Sequence, residues 1–487
     1  LPTYEYGFLS VPENRQQARG RCVLLRYIRF PAQPASSAEP VVVIPGGPGS
    51  QITVEGLRES PPDVRLIRHV IRSRDFIALQ QRGVSDGVHA TPLQINLPAL
   101  PMDAQASVSA QVARYRSAVS AGLRDWQALG IDLRGYHIRE MVADIAALAD
   151  ALGHRKIVLY GTSFGSQWAM SFIKTHPERV ARAVLTGVEP IDYAWDSPDW
   201  LWNAYERIDK RARRDPAIAK ALGQRTLLDI VRDQISELEK APKKVAIIDR
   251  GSRQPMEVVV GADDLRAAVL YPSLIHFDGQ RSVLEATPKF LIELDRGDYK
   301  ALAAMSLRDR EAQTSGFLWL LVDNTLNISA QREAKLRSEA ATRWVGDVNA
   351  LYAGTRDLVP GADVGDEFRA DFDLEMPVLM VQGDVDLSTP MENAQSQIPR
   401  LKRGRLLIVE GGTHSVLDEL LTPELLPADS DADQRLLEFM APSSSNTASP
   451  ETILRGLPER IALKPFEFAN PQGETFYQTW LKEKDAE

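Results

Sequence analysis

The feature that most restricts this chain is a five-residue turn, Gly161-Thr162-Ser163-Phe164-Gly165, set between an apolar run at 156–160 and a helix-like stretch at 166–174. Strand, Gly-x-Ser-x-Gly and helix in that order form a nucleophile elbow, in which the serine stands on a sharp turn above a sheet. Small residues are needed at 161 and 165 because backbone packs closely against both sides of such a turn. The serine hydroxyl then lies near the start of a helix, whose backbone N–H groups can hold a developing oxyanion; the N–H of Phe164 is one such donor. A glycine-rich phosphate loop is the competing reading, but its Gly-Lys-Ser/Thr ending is missing here.

Other short apolar runs repeat the strand signal at 22–30, 40–44, 75–79, 181–185, 378–381 and 405–409. Most lack clean alternation, as expected where both faces of a mostly parallel sheet are covered. Between two of them, Ile138, Met141, Val142, Ile145, Leu148 and Leu152 recur at three-and-four spacing until Gly153 stops the helix. Strand, helix, strand is the crossover unit of an α/β sheet. From about 191 to 370 the strand rhythm largely disappears into helix-like segments such as 263–270 and 330–342, and it returns at Met376. The sequence therefore predicts a sheet domain built from 1–190 and 371–487, interrupted by a mainly helical insertion at 191–370. The polar stretch 443–450 reads as a loop, and the residues after it as the completion of the core domain.

A formal charge of −9 gives no support for a nucleic-acid partner, since such a surface concentrates Lys and Arg against phosphates. The longest apolar patch, 317–322, falls far below the roughly 18 residues that span a bilayer, so no membrane partner is expected. A start at Leu1 fits a processed or a trimmed chain, which leaves cytoplasmic, periplasmic and secreted settings open. Cys22 is the single cysteine, so neither an intrachain disulfide nor a Cys-based metal cluster is expected. Its strand-like surroundings predict buried filler. No metal or cofactor is expected, and a homo-oligomer remains open.

A serine nucleophile needs a general base, and the base an orienting carboxylate. On this kind of sheet the chain order is serine, acid, histidine. Of the seven histidines, only His414 follows residue 276, in the loop Glu410-Gly411-Gly412-Thr413-His414-Ser415 after a late strand. His154 precedes the nucleophile strand at its far end and His176 follows the next helix, so both read as structural; His69, His89, His137 and His276 do not fit the order. The acid should follow the strand at 378–381, where Asp384 and Asp386 compete. Asp386, just ahead of Ser388-Thr389-Pro390, is deep enough in the loop to turn towards His414. Ser163 and Asp386 stand 223 positions apart, against 28 from Asp386 to His414, which independently demands a long insertion over the site. Upstream, Pro45-Gly46-Gly47-Pro48-Gly49-Ser50 follows the run at 40–44. It is either a plain tight turn or a loop that aims the Gly47 N–H at the reacting carbonyl.

Together these segments resemble the α/β-hydrolase superfamily and, within it, the proline iminopeptidase and tripeptidyl aminopeptidase family of serine exopeptidases. Gln81-Arg82-Gly83 and the strand-like stretches 6–12 and 21–31 add to the likeness. The resemblance implies an α/β-hydrolase fold: a mostly parallel central sheet flanked by helices, with a large helical cap insertion. It also implies removal of residues from the free amino ends of short peptides, with Ser163 as nucleophile, Asp386 as acid, His414 as base, and an oxyanion hole at Gly47 and Phe164. The sequence departs from the family pattern at Pro45, where histidine is frequent, at Gln80, where aspartate is usual, and at Val84-Ser85-Asp86.

A cap that holds an ammonium group needs carboxylates at the cleft, because the cation loses water on entering. Glu189, in Gly187-Val188-Glu189-Pro190, and Asp323, which interrupts Leu321-Val322-Asp323-Asn324-Thr325, are the candidates. Phe317, Trp319, Trp202 and Tyr205 could shape an apolar pocket, although aromatics at helical spacing more often build cores. The same triad serves an esterase, lactonase or amidase of small molecules, so that reading stands beside the aminopeptidase. A non-catalytic binding protein is the third reading, and the intact order of the triad disfavours it.

Overall fold

A computed structural model describes residues 1–84, 92–270, 280–443 and 447–482. Ser85, Asp86, His89 and His276 lie outside the described residues, as does part of the 443–450 loop. The strands are β1 (Glu5–Pro12), β2 (Cys22–Phe30), β3 (Val41–Ile44), β4 (Phe76–Leu79), β5 (Gln94–Leu97), β6 (Ile157–Thr162), β7 (Val180–Thr186), β8 (Lys243–Ile248), β9 (Pro255–Val260), β10 (Gln313–Gly316), β11 (Val378–Gly383), β12 (Arg405–Glu410) and β13 (Arg460–Ala462).

Nine of them form one sheet in the order β1-β2-β4-β3-β6-β7-β11-β12-β13. The pairs from β4 onward are parallel, while β1 and β2 join antiparallel at one edge. The sequence dictates this split. β3 and β4 read Val-Val-Val-Ile and Phe-Ile-Ala-Leu and are buried on both faces, whereas β1 alternates towards solvent. One face of the sheet packs Ile145, Trp168 and Phe172, and the other packs Leu66, Ile67 and Leu436. Full burial of each such side chain contributes about 1.5–3 kcal/mol. Strand order reverses between β3 and β6, and in open α/β sheets such a switch point opens a crevice at the carboxyl ends of the strands. The loop at Gly47 and the elbow at Ser163 leave β3 and β6 into that crevice.

A large helical insertion lies between β7 and β11, including the helices Pro198–Ala212, Leu227–Lys240 and Lys300–Arg310. It has its own core around Leu201, Ile230, Leu265, Phe290 and Leu302. Starts are well capped: Ser197 Oγ accepts the Trp200 N–H, and Thr226 and Asp229 form a reciprocal capping box. The insertion is not purely helical, however. β8 and β9 form an antiparallel hairpin, and β10 pairs with β5 from the amino-terminal half. The expected 330–342 helix divides into Ala330–Arg337 and Thr342–Val345.

Two further expectations are revised. Cys22 is exposed at the start of β2, where the edge of the sheet meets solvent, and is not buried filler. The last segment completes the sheet only through β13. Beyond it, Phe466, Phe476, Tyr477 and Trp480 pack on the core of the insertion, tied by the Phe476 N–H to Glu293. Gln81-Arg82-Gly83 is also a structural hub. Arg82, 1% exposed, binds both oxygens of Asp144 at 2.7 Å and donates to the carbonyls of Glu13 and Gly135. Among the described residues, no helix is long and apolar enough to cross a membrane.

Candidate active site

β6 delivers Ser163 into the crevice on a strained backbone, φ 56° and ψ −133°. Side chains are excluded around it: a Cβ on Gly161 would lie 2.3 Å from the Gly165 carbonyl oxygen, and one on Gly165 would lie 2.3 Å from that of Ile44. The Ser163 N–H donates to the Thr186 carbonyl at 2.9 Å, and its own carbonyl accepts from Ser166 at 2.7 Å. Phe164, 1% exposed, opens the helix Phe164–Thr175, so its N–H belongs to the positive end of that helix.

The loop after β3 lies directly against the elbow, where a Cβ on Gly46 would stand 3.1 Å from that of Ser163. Gln81 clasps this loop from both sides. Its Nε2 donates to the Gly46 carbonyl at 2.6 Å and its Oε1 accepts the Gly49 N–H at 2.9 Å, which leaves Gly47 between two fixed points. Sequence reasoning recognised the Gln-Arg-Gly segment but not this positioning role. The signal was available: a glutamine at the end of β4, next to β3, faces the loop that β3 feeds.

His414 and Asp386 meet as the chain order requires. His414 Nδ1 stands 2.9 Å from Asp386 Oδ2 and 3.1 Å from Oδ1. Asp386 is fully buried yet richly satisfied: Oδ1 accepts the N–H groups of Ser388 and Thr389, and Oδ2 accepts Thr389 Oγ1 and Gln382 Nε2. Burial opposes its charge, but the His414 charge and these donors prevail and hold its carboxyl below the usual range. For His414 burial again opposes the charged form, and the Asp386 carboxylate, helped by Asp196, raises its pKa above the usual value. Asp384 does other work, binding Arg211 at 2.5 Å and accepting the Gly411 N–H at 2.8 Å.

Two cavities meet at Ser163 and Gly47. The smaller, about 330 Å³, contains Glu189, Asp196 and Asp323, with Trp319 and Tyr352 among its walls. Burial and mutual repulsion push Glu189 and Asp323 well above the usual carboxylate range, and burial pushes Asp196 up to about 7. Arg332 moderates Glu189 and Asp196, but that guanidinium donates to the Trp195 carbonyl and stacks 3.5 Å over Tyr193. The Asp323 carboxylate takes a hydrogen bond from Tyr352, but its Oδ1 is buried with no hydrogen-bond partner among the described residues. No group of three or more acidic, histidine or cysteine side chains among the described residues is arranged to hold a metal ion.

The structure thus gathers Glu189, Asp323 and Trp319 beside Ser163 and leaves three other candidates apart. Phe317 is fully buried and stacks on Trp126 at 4.8 Å, while Trp202 and Tyr205 sit inside the insertion core, outside the walls of both cavities. Large rings at helical spacing went to packing, which is where most of their area is stabilising. Asp196 and Tyr352 were missed. Asp196 stands in Tyr193-Ala194-Trp195-Asp196-Ser197 at the entry to the insertion, where an acid among aromatics was the available sign.

Two family models match this architecture. Residues 39–223 match the α/β hydrolase fold family, and residues 360–420 match the family described as TAP-like protein. A Synechocystis sp. protein described as a non-heme chloroperoxidase is 28% identical over 148 residues, which is 28% of this chain and 51% of that protein. A proline iminopeptidase of Neisseria gonorrhoeae is 39% identical over 59 residues, 12% of this chain and 19% of the relative. The chain thus spans about half or less of the curated relatives it matches. Among solved structures, epoxide hydrolase A from Mycobacterium thermoresistibile is 14% identical with a TM-score of 0.35, covering 93% of this chain and 99% of that one.

Proposed function

On the premise that this chain is a serine hydrolase of the α/β-hydrolase superfamily, we propose that its substrates carry a protonated amine beside the scissile carbonyl, as the free end of a short peptide does. The observation that carries this reading is the pocket of three carboxylates, Glu189, Asp196 and Asp323, opening on Ser163 and Gly47. An unpartnered buried acceptor, Asp323 Oδ1, is costly unless something donates to it. An ammonium group supplies the donors and the compensating charge together, and its arrival favours ionised forms of acids that burial pushes towards neutrality.

Ser163 Oγ attacks the carbonyl carbon while His414 Nε2 takes its proton, and Asp386 holds the imidazole with Nδ1 protonated. The N–H groups of Gly47 and Phe164 receive the negative charge on the carbonyl oxygen. His414 then returns the proton to the leaving group, and water releases the acyl group by the same steps in reverse order.

A second reading, an esterase, lactonase or amidase of small organic compounds that ignores the amine, is favoured by the larger cavity on the other side of Ser163, about 500 Å³, whose wall includes Ile52, Leu57 and Leu417. Matched substrates decide between the two. Aminoacyl and N-acetyl-aminoacyl p-nitroanilides, measured beside simple p-nitrophenyl esters, should show kcat/KM falling by a hundredfold or so on acetylation, roughly the 2–5 kcal/mol attached to stranding a buried charge pair. Equal turnover of acetylated substrates and better turnover of the plain esters would establish the second reading instead.

A further inference from the structure

The two cavities divide the substrate between them. His414 lines the larger cavity and not the smaller, while Ser163 and Gly47 line both. Nδ1 of His414 is committed to Asp386, so only Nε2 can return a proton, and the departing atom must lie on the side where that ring is exposed. The larger cavity therefore receives the leaving group, and the carboxylate pocket receives the acyl group. This division rests on the reading of Ser163 as nucleophile and His414 as base, but not on amine recognition.

The leaving-group cavity has a chemistry of its own. Asp63, from the helix Pro61–Val70, and Asp418, from the helix Val416–Leu420, both line it, and these helices pack on one another. Neither carboxylate forms a salt bridge with Lys or Arg among the described residues. Asp63, half-buried, has the Ser60 hydroxyl as a side-chain partner, and Asp418, an exposed side chain, is repelled by Asp63 and Glu419. Tyr160, 8% exposed, lines the same wall. The Tyr160 hydroxyl is engaged by the neighbouring Thr186 side chain. Apolar sides at Ile52, Leu57 and Leu417 lead to these acids.

We propose that this cavity is a leaving-group subsite for a chain with an apolar stem and a cationic end, such as a lysine or arginine residue following the scissile bond. The stem packs on the aliphatic walls while the charge sits between Asp63 and Asp418. In the step it serves, the bond from Ser163 Oγ to the carbonyl carbon forms and the carbon–nitrogen bond breaks. The proton taken from Ser163 by His414 moves to the departing amine, which leaves neutral at that nitrogen with its distal cation intact.

The test compares leaving groups on one acyl group. Alanyl-lysine amide, alanyl-arginine amide, alanyl-leucine amide and alanyl-glutamate amide are assayed by product release, and choline butyrate is assayed beside 3,3-dimethylbutyl butyrate, its uncharged isostere. Lysine and arginine should exceed leucine by about tenfold in kcat/KM, a difference of roughly 1.4 kcal/mol, with glutamate slowest. The choline ester should exceed its isostere by a similar factor. Asp63→Asn with Asp418→Asn should bring both ratios near one. Leucine equal to or better than lysine in the unaltered protein, with no choline preference, overturns the proposal even if the double variant cannot be prepared, and so do ratios that survive the double substitution. The ester pair contains no acyl amine, so a choline preference upholds this subsite even where acetylation has no effect and amine recognition has failed.

Discussion

Asp386→Asn tests the orienting carboxylate without changing its volume. In the native site Oδ1 faces the Ser388 and Thr389 N–H groups at 2.8 and 2.9 Å, and Oδ2 faces Thr389 Oγ1 at 2.7 Å and Gln382 Nε2 at 3.0 Å. An asparagine must put its NH2 in one of these two places. At Oδ1 it would oppose two backbone donors that cannot turn away, each stranded group costing about 1–3 kcal/mol. At Oδ2 the Thr389 hydroxyl can rotate to accept, although Gln382 is held by the Val188 N–H on its own oxygen. The NH2 therefore settles at Oδ2, where it points at His414 Nδ1. That nitrogen becomes the acceptor, the ring proton moves to Nε2, and the base can no longer take the serine proton. The expected loss in kcat is about 10³–10⁴-fold, roughly 4–5.5 kcal/mol of barrier. Steady-state turnover of a p-nitrophenyl ester, with thermal unfolding monitored in parallel, reads it. A variant within tenfold of the native rate would refute the assignment. A larger loss from Asp384→Asn, beside an unaffected fold, would pass the role to that carboxylate.

Gly187→Ala should damage catalysis more than stability. Its φ of +50° disfavours a side chain, and a Cβ would stand 2.9 Å from His414 Cε1, so kcat should fall at least tenfold for about 1–2 kcal/mol of lost stability, read by turnover beside denaturant unfolding. Asp196→Asn should move the acidic limb of kcat/KM to lower pH. Activity needs neutral His414 and is lost as pH falls through its raised pKa, and the Asp196 charge is one of the causes of that raising; a pH profile on an amine-free ester checks the direction, and a shift to higher pH contradicts it. Arg82→Met should lower the denaturation midpoint strongly, by about 3–5 kcal/mol in stability, because it breaks a buried ion pair with Asp144.

What the sequence made legible here is what backbone strain and chain order impose. The elbow needs glycine wherever a Cβ would strike a carbonyl, so positions 161 and 165 announced themselves. The pairing of Asp386 with His414 was legible because each sits in the loop closing a strand, β11 and β12, that its own apolar run predicts. The β8–β9 hairpin escaped notice because Lys243-Lys244-Val245-Ala246-Ile247-Ile248 is half exposed and lies among stronger helical patterns, although Gly251 and Ser252 marked its turn. Aromatic residues gave no such guidance. Trp319 reached a cavity wall and Phe317, two positions away, went to the core, since positions two apart on a helical turn point to opposite faces, a difference that composition does not encode.

The pocket acids show the same limit from the other side. Glu189 stood out because it follows the strand at 181–185 and Asp323 because it interrupts an apolar segment, yet nothing in the chain links them to Asp196 or separates them from Asp63 and Asp418. The sheet creates that separation. β3 and β6 lie side by side at the switch point, the loops they feed meet at Ser163, and His414 follows β12 into the larger cavity. Once the imidazole occupies one flank, the proton it returns fixes which cavity empties first, and the carboxylates on each flank acquire different partners. A substitution among Glu189, Asp196 and Asp323 should therefore alter which acyl groups are accepted, whereas one at Asp63 or Asp418 should alter which leaving groups depart. Acyl-enzyme hydrolysis, which no longer contains the leaving group, should be indifferent to the second pair, and single-turnover deacylation rates that fell in Asp63→Asn or Asp418→Asn would break the division of the site.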